Sequence, residues 1–240
     1  MSVRTIALVT GANKGIGYEI AAGLGALGWS IGVGARDAER GEAAVAKLRA
    51  AGVDAFAVPL DVTSPSSVTA AAELLAARGG LDVLVNNAGI TGGGPQEPTL
   101  VDLEIIRTVV ETNVLGVVRV TNALLPLLRR SPSPRIVNMS SSVGSLTRQS
   151  APGAETGPIA AAYSPSKTFL NAITVQYAKE LRDTNILINA SCPGYCATDL
   201  NGFRGHRTAE QGAVAAIRLA TLPDGGPSGG FFDEDGEVPW

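Results

Sequence analysis

The stretch Thr10-Gly11-Ala12-Asn13-Lys14-Gly15-Ile16-Gly17 decides the fold. An apolar, β-rich run, Thr5–Val9, leads into it, and a helical stretch, Gly17–Leu27, follows. Gly11, Gly15 and Gly17 can take positive φ and let the backbone approach a ligand. A helix beginning there offers unpaired N–H groups and a partial positive charge, which suit a pyrophosphate. The spacing is G-x-x-x-G-x-G, not G-x-G-x-x-G. A glycine turn that binds nothing is the bland alternative, but its place between a first strand and a first helix favours nucleotide binding. A phosphate loop of the Gly-Lys-Ser/Thr kind is excluded, because Lys14 precedes Gly15.

Outward from this turn, short apolar runs alternate with helical segments. The runs are Thr5–Val9, Ser30–Gly34, Ala55–Pro59, Leu81–Val85, Arg135–Met139, Ile186–Ser191 and Gly229–Phe232. They are nearly continuous in hydrophobicity, as strands buried on both faces are. The helices are expected over Gly17–Leu27, Ala38–Ala50, Pro65–Arg78, Leu100–Arg129, Ser164–Asp183 and Thr208–Thr221. Such alternation predicts an α/β fold, a doubly wound, Rossmann-type parallel sheet of about seven strands with helices on both faces. No linker or repeat interrupts residues 1–240, so a single domain is expected to carry both cofactor and substrate sites.

Composition narrows the chemistry. The chain has 240 residues and a net charge of −3, with one histidine, His206, and two cysteines, Cys192 and Cys196. Three such residues cannot build a four-ligand Cys/His zinc site, and no metal is expected. A disulfide framework is excluded, and a reducing, cytoplasmic setting is the default. Without a Lys/Arg stripe there is no footprint for nucleic acid, and no apolar run is long enough to span a membrane. Only four lysines are present, at 14, 47, 167 and 179, so a lysine inside a motif is less easily an accident.

Beyond the glycine turn, several separated motifs fall in order. They are Asp61-Val62; Asn86-Asn87-Ala88-Gly89; Asn113 in Asn113-Val114-Leu115-Gly116; Ser141 in Asn138-Met139-Ser140-Ser141-Ser142; Tyr163-Ser164-Pro165-Ser166-Lys167; and Pro193-Gly194 followed by Thr198. On these the chain resembles the short-chain dehydrogenase/reductase family over essentially its whole length. Its end, Gly229-Gly230-Phe231-Phe232 through Val238-Pro239-Trp240, resembles the carbonyl-reductase branch.

The resemblance implies hydride transfer between a nicotinamide cofactor and a carbonyl or alcohol. It implies Tyr163 as general acid and Ser141 as hydrogen-bond donor to the substrate oxygen. Lys167 would hold the nicotinamide ribose, and Asn113 would anchor a water that replenishes the proton. Tyr163 and Lys167 are four apart on a helix, so they share a face. The ammonium is expected to lower the phenol toward working pH. The resemblance also places Gly11, Asn13, Lys14, Gly15, Ile16, Gly17, Asp61, Val62, Asn87, Ala88, Gly89, Pro193, Gly194 and Thr198 at the cofactor. Ser140, Ser141 and Ser142 are contiguous at a strand end, and alternation does not separate them; the family register favours Ser141.

For the second nucleotide ribose, an acidic residue at the end of strand two reads a diol, and arginine reads a 2′-phosphate. Here the strand ends Gly34-Ala35-Arg36-Asp37. Arg36 with Lys14 favours NADP(H). The alternative has Asp37 reading the diol, but Asp37 also suits a helix N-cap.

Tyr195–Thr208 is the expected substrate loop. Its Arg204, His206 and Arg207 suit an acidic substrate, though a solvated loop is the commoner outcome. Cys196 is read as a buried, inert thiol. Ser141 and Tyr163 lie 22 apart, which makes Ser145–Ala162 an inserted loop beside the site. The leading expectation is an NADPH-dependent ketone or aldehyde reductase. Its rivals are an NAD(P)-dependent alcohol dehydrogenase and a non-catalytic dinucleotide sensor. Oligomeric state is left open, with a homo-oligomer preferred.

Overall fold

The computed structural model describes residues 4–153 and 157–240. Seven parallel strands form one sheet in the order β3-β2-β1-β4-β5-β6-β7. They are β1 (Ile6–Thr10), β2 (Ser30–Ala35), β3 (Asp54–Pro59), β4 (Val83–Asn86), β5 (Arg135–Met139), β6 (Leu187–Ser191) and β7 (Phe231–Phe232). This is the Rossmann-type, doubly wound sheet that the alternation of runs predicts. The chain reverses direction of winding between β1 and β4, and in such sheets ligands bind there, beyond the carboxyl ends of the strands.

Both faces of the sheet are covered, which is why the strands read as unbroken apolar runs. Alternate residues serve opposite layers: Ala7 and Val9 of β1 pack on one side, Leu8 on the other. Helices α1 (Gly15–Ala26), α2 (Ala38–Ala50) and α8 (Ala209–Ala220) close the first layer through Ile20, Leu24, Leu48 and Leu219. Helices α3 (Pro65–Ala77), α5 (Gly116–Leu128) and α7 (Tyr163–Glu180) close the second through Leu75, Leu124 and Tyr177. Ser64 caps α3 with its hydroxyl, and Pro65 opens the helix where no N–H is needed.

The structure departs from the single helix expected over Leu100–Arg129. Asp102 caps a short helix α4 (Leu103–Val110), a π-helical turn follows over Glu111–Leu115, and only then does α5 begin. The cause lies in Asn113. Its fully buried side chain is drawn out to the backbone of Ile90, and the turn widens by one residue around it. The expected strand Gly229–Phe232 shrinks to Phe231–Phe232, because Gly229 turns at φ 81°.

The expected loop Ser145–Ala162 is partly helical. Ser142–Gly144 forms a 3₁₀ turn, and Ser145 caps α6 (Leu146–Gln149). The strap after β7 holds this segment. Ser145 Oγ donates to Pro239 O at 2.6 Å, Thr147 N donates to Trp240 O at 2.9 Å, and the Trp240 ring stacks on Phe231. Residues 154–156 of that expected loop lie outside the described residues.

Candidate active site

A cleft of about 860 Å³ opens at the β1/β4 switch. Its walls include Gly11, Asn13, Lys14, Gly15, Ile16, Gly17, Arg36, Asp61, Val62, Asn87, Ala88, Gly89 and Thr198. The sequence-expected nucleotide residues are thus brought together, apart from Pro193, Gly194, Tyr163 and Lys167, which fall outside this lining. No side chain caps α1, so its first-turn N–H groups, from Gly15, Ile16 and Gly17, are left for a ligand. Gly17 admits no side chain: a Cβ there would meet Gly11 O at 2.6 Å and collide with the Asn87 amide.

Asn87 does more than line the cleft. Its amide nitrogen donates to Thr10 O at 2.8 Å and to Gly11 O at 3.2 Å, so it braces the glycine turn. Thr10 Oγ1 accepts from Asn87 N and Ala88 N, locking the ends of β1 and β4 together. The Asp61 carboxylate accepts from Thr63 Oγ1 and Thr63 N, and the first of these chiefly holds it below the usual carboxylate range.

At the end of β2 the competition between Asp37 and Arg36 has a physical outcome. Asp37 caps α2 by accepting from Arg40 N at 3.1 Å, and it pairs with the Arg40 guanidinium at 3.3 Å. Among the described residues no carboxylate lies within ion-pair distance of Arg36. Lys14 Nζ pairs with Asp199 Oδ2, 2.9 Å away on the loop after β6, and both side chains are about half exposed.

Helix α7 carries the other group of expected residues. Tyr163 and Lys167 stand one turn apart at its start, with Lys167 Nζ 5.5 Å from the Tyr163 ring centre. Lys167 is buried and donates to Met139 O at 2.8 Å. The expectation that Lys167 lowers the phenol is corrected. Burial pushes Tyr163 up to about 12, with the Cys192 thiol adding to it and a hydrogen bond with Ser141 pulling the other way. Burial also brings Lys167 down to about 8. Removing the phenolate from water costs more than this ammonium, aimed at the Met139 carbonyl, returns.

Three contiguous serines now separate. Ser140 Oγ donates to Asn171 Oδ1 at 2.5 Å, and Ser142 starts the 3₁₀ turn. Ser141 is the one that meets Tyr163, and its Oγ accepts only a long bond, 3.4 Å, from Val143 N.

Asn113 is joined to this group through its side chain. Its Oδ1 accepts from Ile90 N, and its Nδ2 donates to Ile90 O and to Ser166 Oγ, which in turn donates to Tyr163 O. Both amide hydrogens are taken, so the side chain braces Ile90 against Ser166 and the start of α7. Gly89 sits between the two arms: a Cβ there would lie 3.3 Å from Asn113 Oδ1 and 3.7 Å from Lys167 Nζ.

The loop Tyr195–Thr208 has a closed neck. Ala197 N donates to Arg207 O at 2.8 Å and His206 N to Tyr195 O at 3.1 Å. Arg207, for which an acidic substrate and a solvated loop are the two readings, is clamped by both carboxylate oxygens of Glu234. Cys196 is buried, and burial raises its thiol, as an inert cysteine requires. Thr198 leans over the glycine turn, its Cγ2 3.6 Å from where a Gly15 Cβ would stand. Among the described residues no helix is long and apolar enough to cross a membrane, and no cluster of three or more His, Cys, Asp or Glu could hold a metal.

A Rossmann-type sheet whose switch-point cleft adjoins a Ser-Tyr-Lys group defines a class, and comparison with known proteins names it. The short chain dehydrogenase profile matches residues 5–208, and the chain belongs to that family of oxidoreductases. It is 36% identical to short-chain dehydrogenase/reductase 1 of Saponaria officinalis, with 100% of this chain and 97% of the relative covered. It is 35% identical to carbonyl reductase (NADPH) 1 of Mus musculus, over 100% of this chain and 99% of the relative. The NADPH-bound carbonyl reductase from chicken fatty liver superposes with a TM-score of 0.83, at 29% identity and with 100% of both chains covered.

Proposed function

We propose that the protein reduces a ketone or aldehyde carbonyl with NADPH, with Tyr163 as general acid. The observation that carries this reading is the meeting of Ser141 with Tyr163 beside buried Lys167, at the edge of a cleft built for a dinucleotide. The cleft suits NADP(H) on its own terms. The glycine cradle admits no Cβ at Gly17, the α1 N-terminus is uncapped by side chains, and Arg36 is free for a 2′-phosphate while Asp37 is committed to its helix. Bound there, NADPH supplies the hydride.

The chain's own residues supply the rest. Ser141 Oγ donates a hydrogen bond to the carbonyl oxygen, drawing it toward Tyr163 and stabilising the charge that develops there. The Tyr163 hydroxyl delivers its proton to that oxygen. A phenol pushed up to about 12 is protonated at neutral pH and so holds the proton that the step requires. Lys167 spends one of its N–H donors on Met139 O and keeps others for a ribose hydroxyl. Pro193, Gly194 and Thr198 would hold the nicotinamide end, and the loop 195–208 would face the substrate. The same reading takes residues 1–240 as one catalytic domain, cytoplasmic, acting as a homo-oligomer on a small-molecule carbonyl.

The test is NADPH oxidation against a diverse carbonyl library. Turnover that disappears in Tyr163→Phe supports the proposal. Full turnover in that variant sinks it.

A further inference from the structure

We infer that Asn171 is a positioning residue for the reaction: its side-chain amide ties both flanks of Ser141 to the helix that carries Tyr163 and Lys167. The inference deepens the reductase reading and rests on it for its kinetic consequences.

Asn171 is 3% exposed and sits one turn beyond Lys167. Positions 163, 167 and 171 therefore form one stripe along α7, about 6 Å between successive members. The amide reaches the chain on both sides of Ser141. Ser140 Oγ donates to Oδ1 at 2.5 Å, and Nδ2 donates to Gly144 O at 3.2 Å. The orientation is fixed by chemistry, because a carbonyl can only accept and so faces the amide nitrogen. Oδ1 must then face Ser140, which becomes the donor and is removed from contention as the substrate's partner.

Contact with α7 is close along this segment. A Cβ on Gly144 would lie 2.8 Å from both Cβ and C of Lys167, so the turn lies flush on the helix backbone. Lys167 Nζ holds Met139 O just before the serines, and Ser145 Oγ holds Pro239 O just after them. Ser141 O accepts from Gly144 N at 2.9 Å, and its hydroxyl accepts a longer bond, 3.4 Å, from Val143 N, so both of these ties run within the same turn. Its place is thus set by the chain on either side, and among the described residues the buried Asn171 amide is the side chain that holds both Ser140 and Gly144. Burying that amide without partners would be costly, so its two bonds are what stabilise it there.

The consequence is geometric. Ser141 and Tyr163 must converge on one oxygen, and a shift of about 1 Å in such a pair costs on the order of a hundredfold in rate. In Asn171→Ala the 140–146 segment loses its grip on α7 while the nucleotide cleft keeps all of its residues.

The experiment uses the full chain and two variants, Asn171→Ala and Ser140→Ala, the second removing only one arm. Backbone hydrogen exchange is followed over residues 140–146. NADPH affinity by fluorescence, kcat and KM for a carbonyl, and the pH dependence of kcat are measured alongside. In Asn171→Ala exchange is expected to rise in 140–146 alone, and kcat to fall about tenfold or more. NADPH affinity and carbonyl KM stay within about twofold of the parent. The alkaline limb of kcat moves up, because the Ser141 bond that holds the phenol down is weakened. Ser140→Ala shows the same changes to a smaller degree. Unchanged exchange in 140–146, an unmoved alkaline limb, or a kcat loss that follows NADPH affinity overturns the inference. A parent protein that oxidises NADPH with no carbonyl overturns the reductase reading instead, and the exchange result still decides whether Asn171 holds the segment.

Discussion

Lys14 Nζ lies 2.9 Å from Asp199 Oδ2, an ion pair that joins the glycine turn after β1 to the loop after β6. Both side chains are about half exposed, so the pair contributes little to stability, at most about 1 kcal/mol. Its effect is local. Lys14→Ala leaves the Asp199 carboxylate unpaired beside the nucleotide cleft, and the KM for NADPH is expected to rise about tenfold. Lys14→Ala combined with Asp199→Ala restores most of that loss, since the repelling charge is gone. Strict additivity of the two changes in steady-state kinetics refutes this coupling.

Arg36 is expected to separate the two dinucleotides. With no carboxylate partner among the described residues, its guanidinium is free for a 2′-phosphate, at about 1.5–3 kcal/mol for a charged hydrogen bond. Arg36→Ala should raise the KM for NADPH between about tenfold and a hundredfold and leave that for NADH unchanged. An unchanged ratio of the two KM values removes Arg36 from the site.

The pH behaviour follows from opposite shifts in neighbouring groups. Lys167 is lowered to about 8, so between about 8 and its ordinary value the unfolded chain binds more protons than the folded one. That stability is present at alkaline pH and is lost as pH falls through about 8. Tyr163 is raised to about 12, so its contribution is present below its ordinary value near 10 and is lost as pH climbs toward about 12. The cofactor-free protein should therefore gain thermal stability from about pH 8 to about pH 10 and lose it beyond, where Tyr177, also raised to about 12 by burial, adds to the loss. Lys167→Met should flatten the rising part. A Tm profile of Lys167→Met parallel to the parent's contradicts the assignment.

Gly17→Ala tests the cradle. The new methyl collides with the Asn87 amide and stands 2.6 Å from Gly11 O, both part of the braced turn. A destabilisation of about 1–3 kcal/mol is expected, together with loss of NADPH binding in a fluorescence titration. Parental binding by this variant shows that the close approach is dispensable.

What the sequence made legible was whatever is decided locally. Strand β5 and helix α2 are found at the residues expected, because a buried run and a capped amphipathic stretch carry their own boundaries. The four-residue spacing of Tyr163 and Lys167 is likewise local. The break at Glu111–Leu115 is not, because its cause is a contact between Asn113 and Ile90 on another element. Nor is the pairing of Lys14 with Asp199, which lie on different loops far apart in the chain. The choice of Ser141 among the three serines rested on the family register, and its physical reason, Asn171 holding Ser140, came only with the fold. The raised Tyr163 was hidden because burial is a property of the whole fold.

The closed neck at Ala197 and Arg207 has a practical corollary. Its two ends are tied to one another, and Arg207 is clamped by Glu234, so positions between them can be exchanged without transmitting strain to β6 or α8, provided Thr198, Asp199, Asn201 and Gly205 are kept. The set Leu200, Phe203, Arg204 and His206 is therefore a natural cassette for retargeting the protein. Libraries confined to it can vary what is recognised, while the helix that moves the proton is inherited intact.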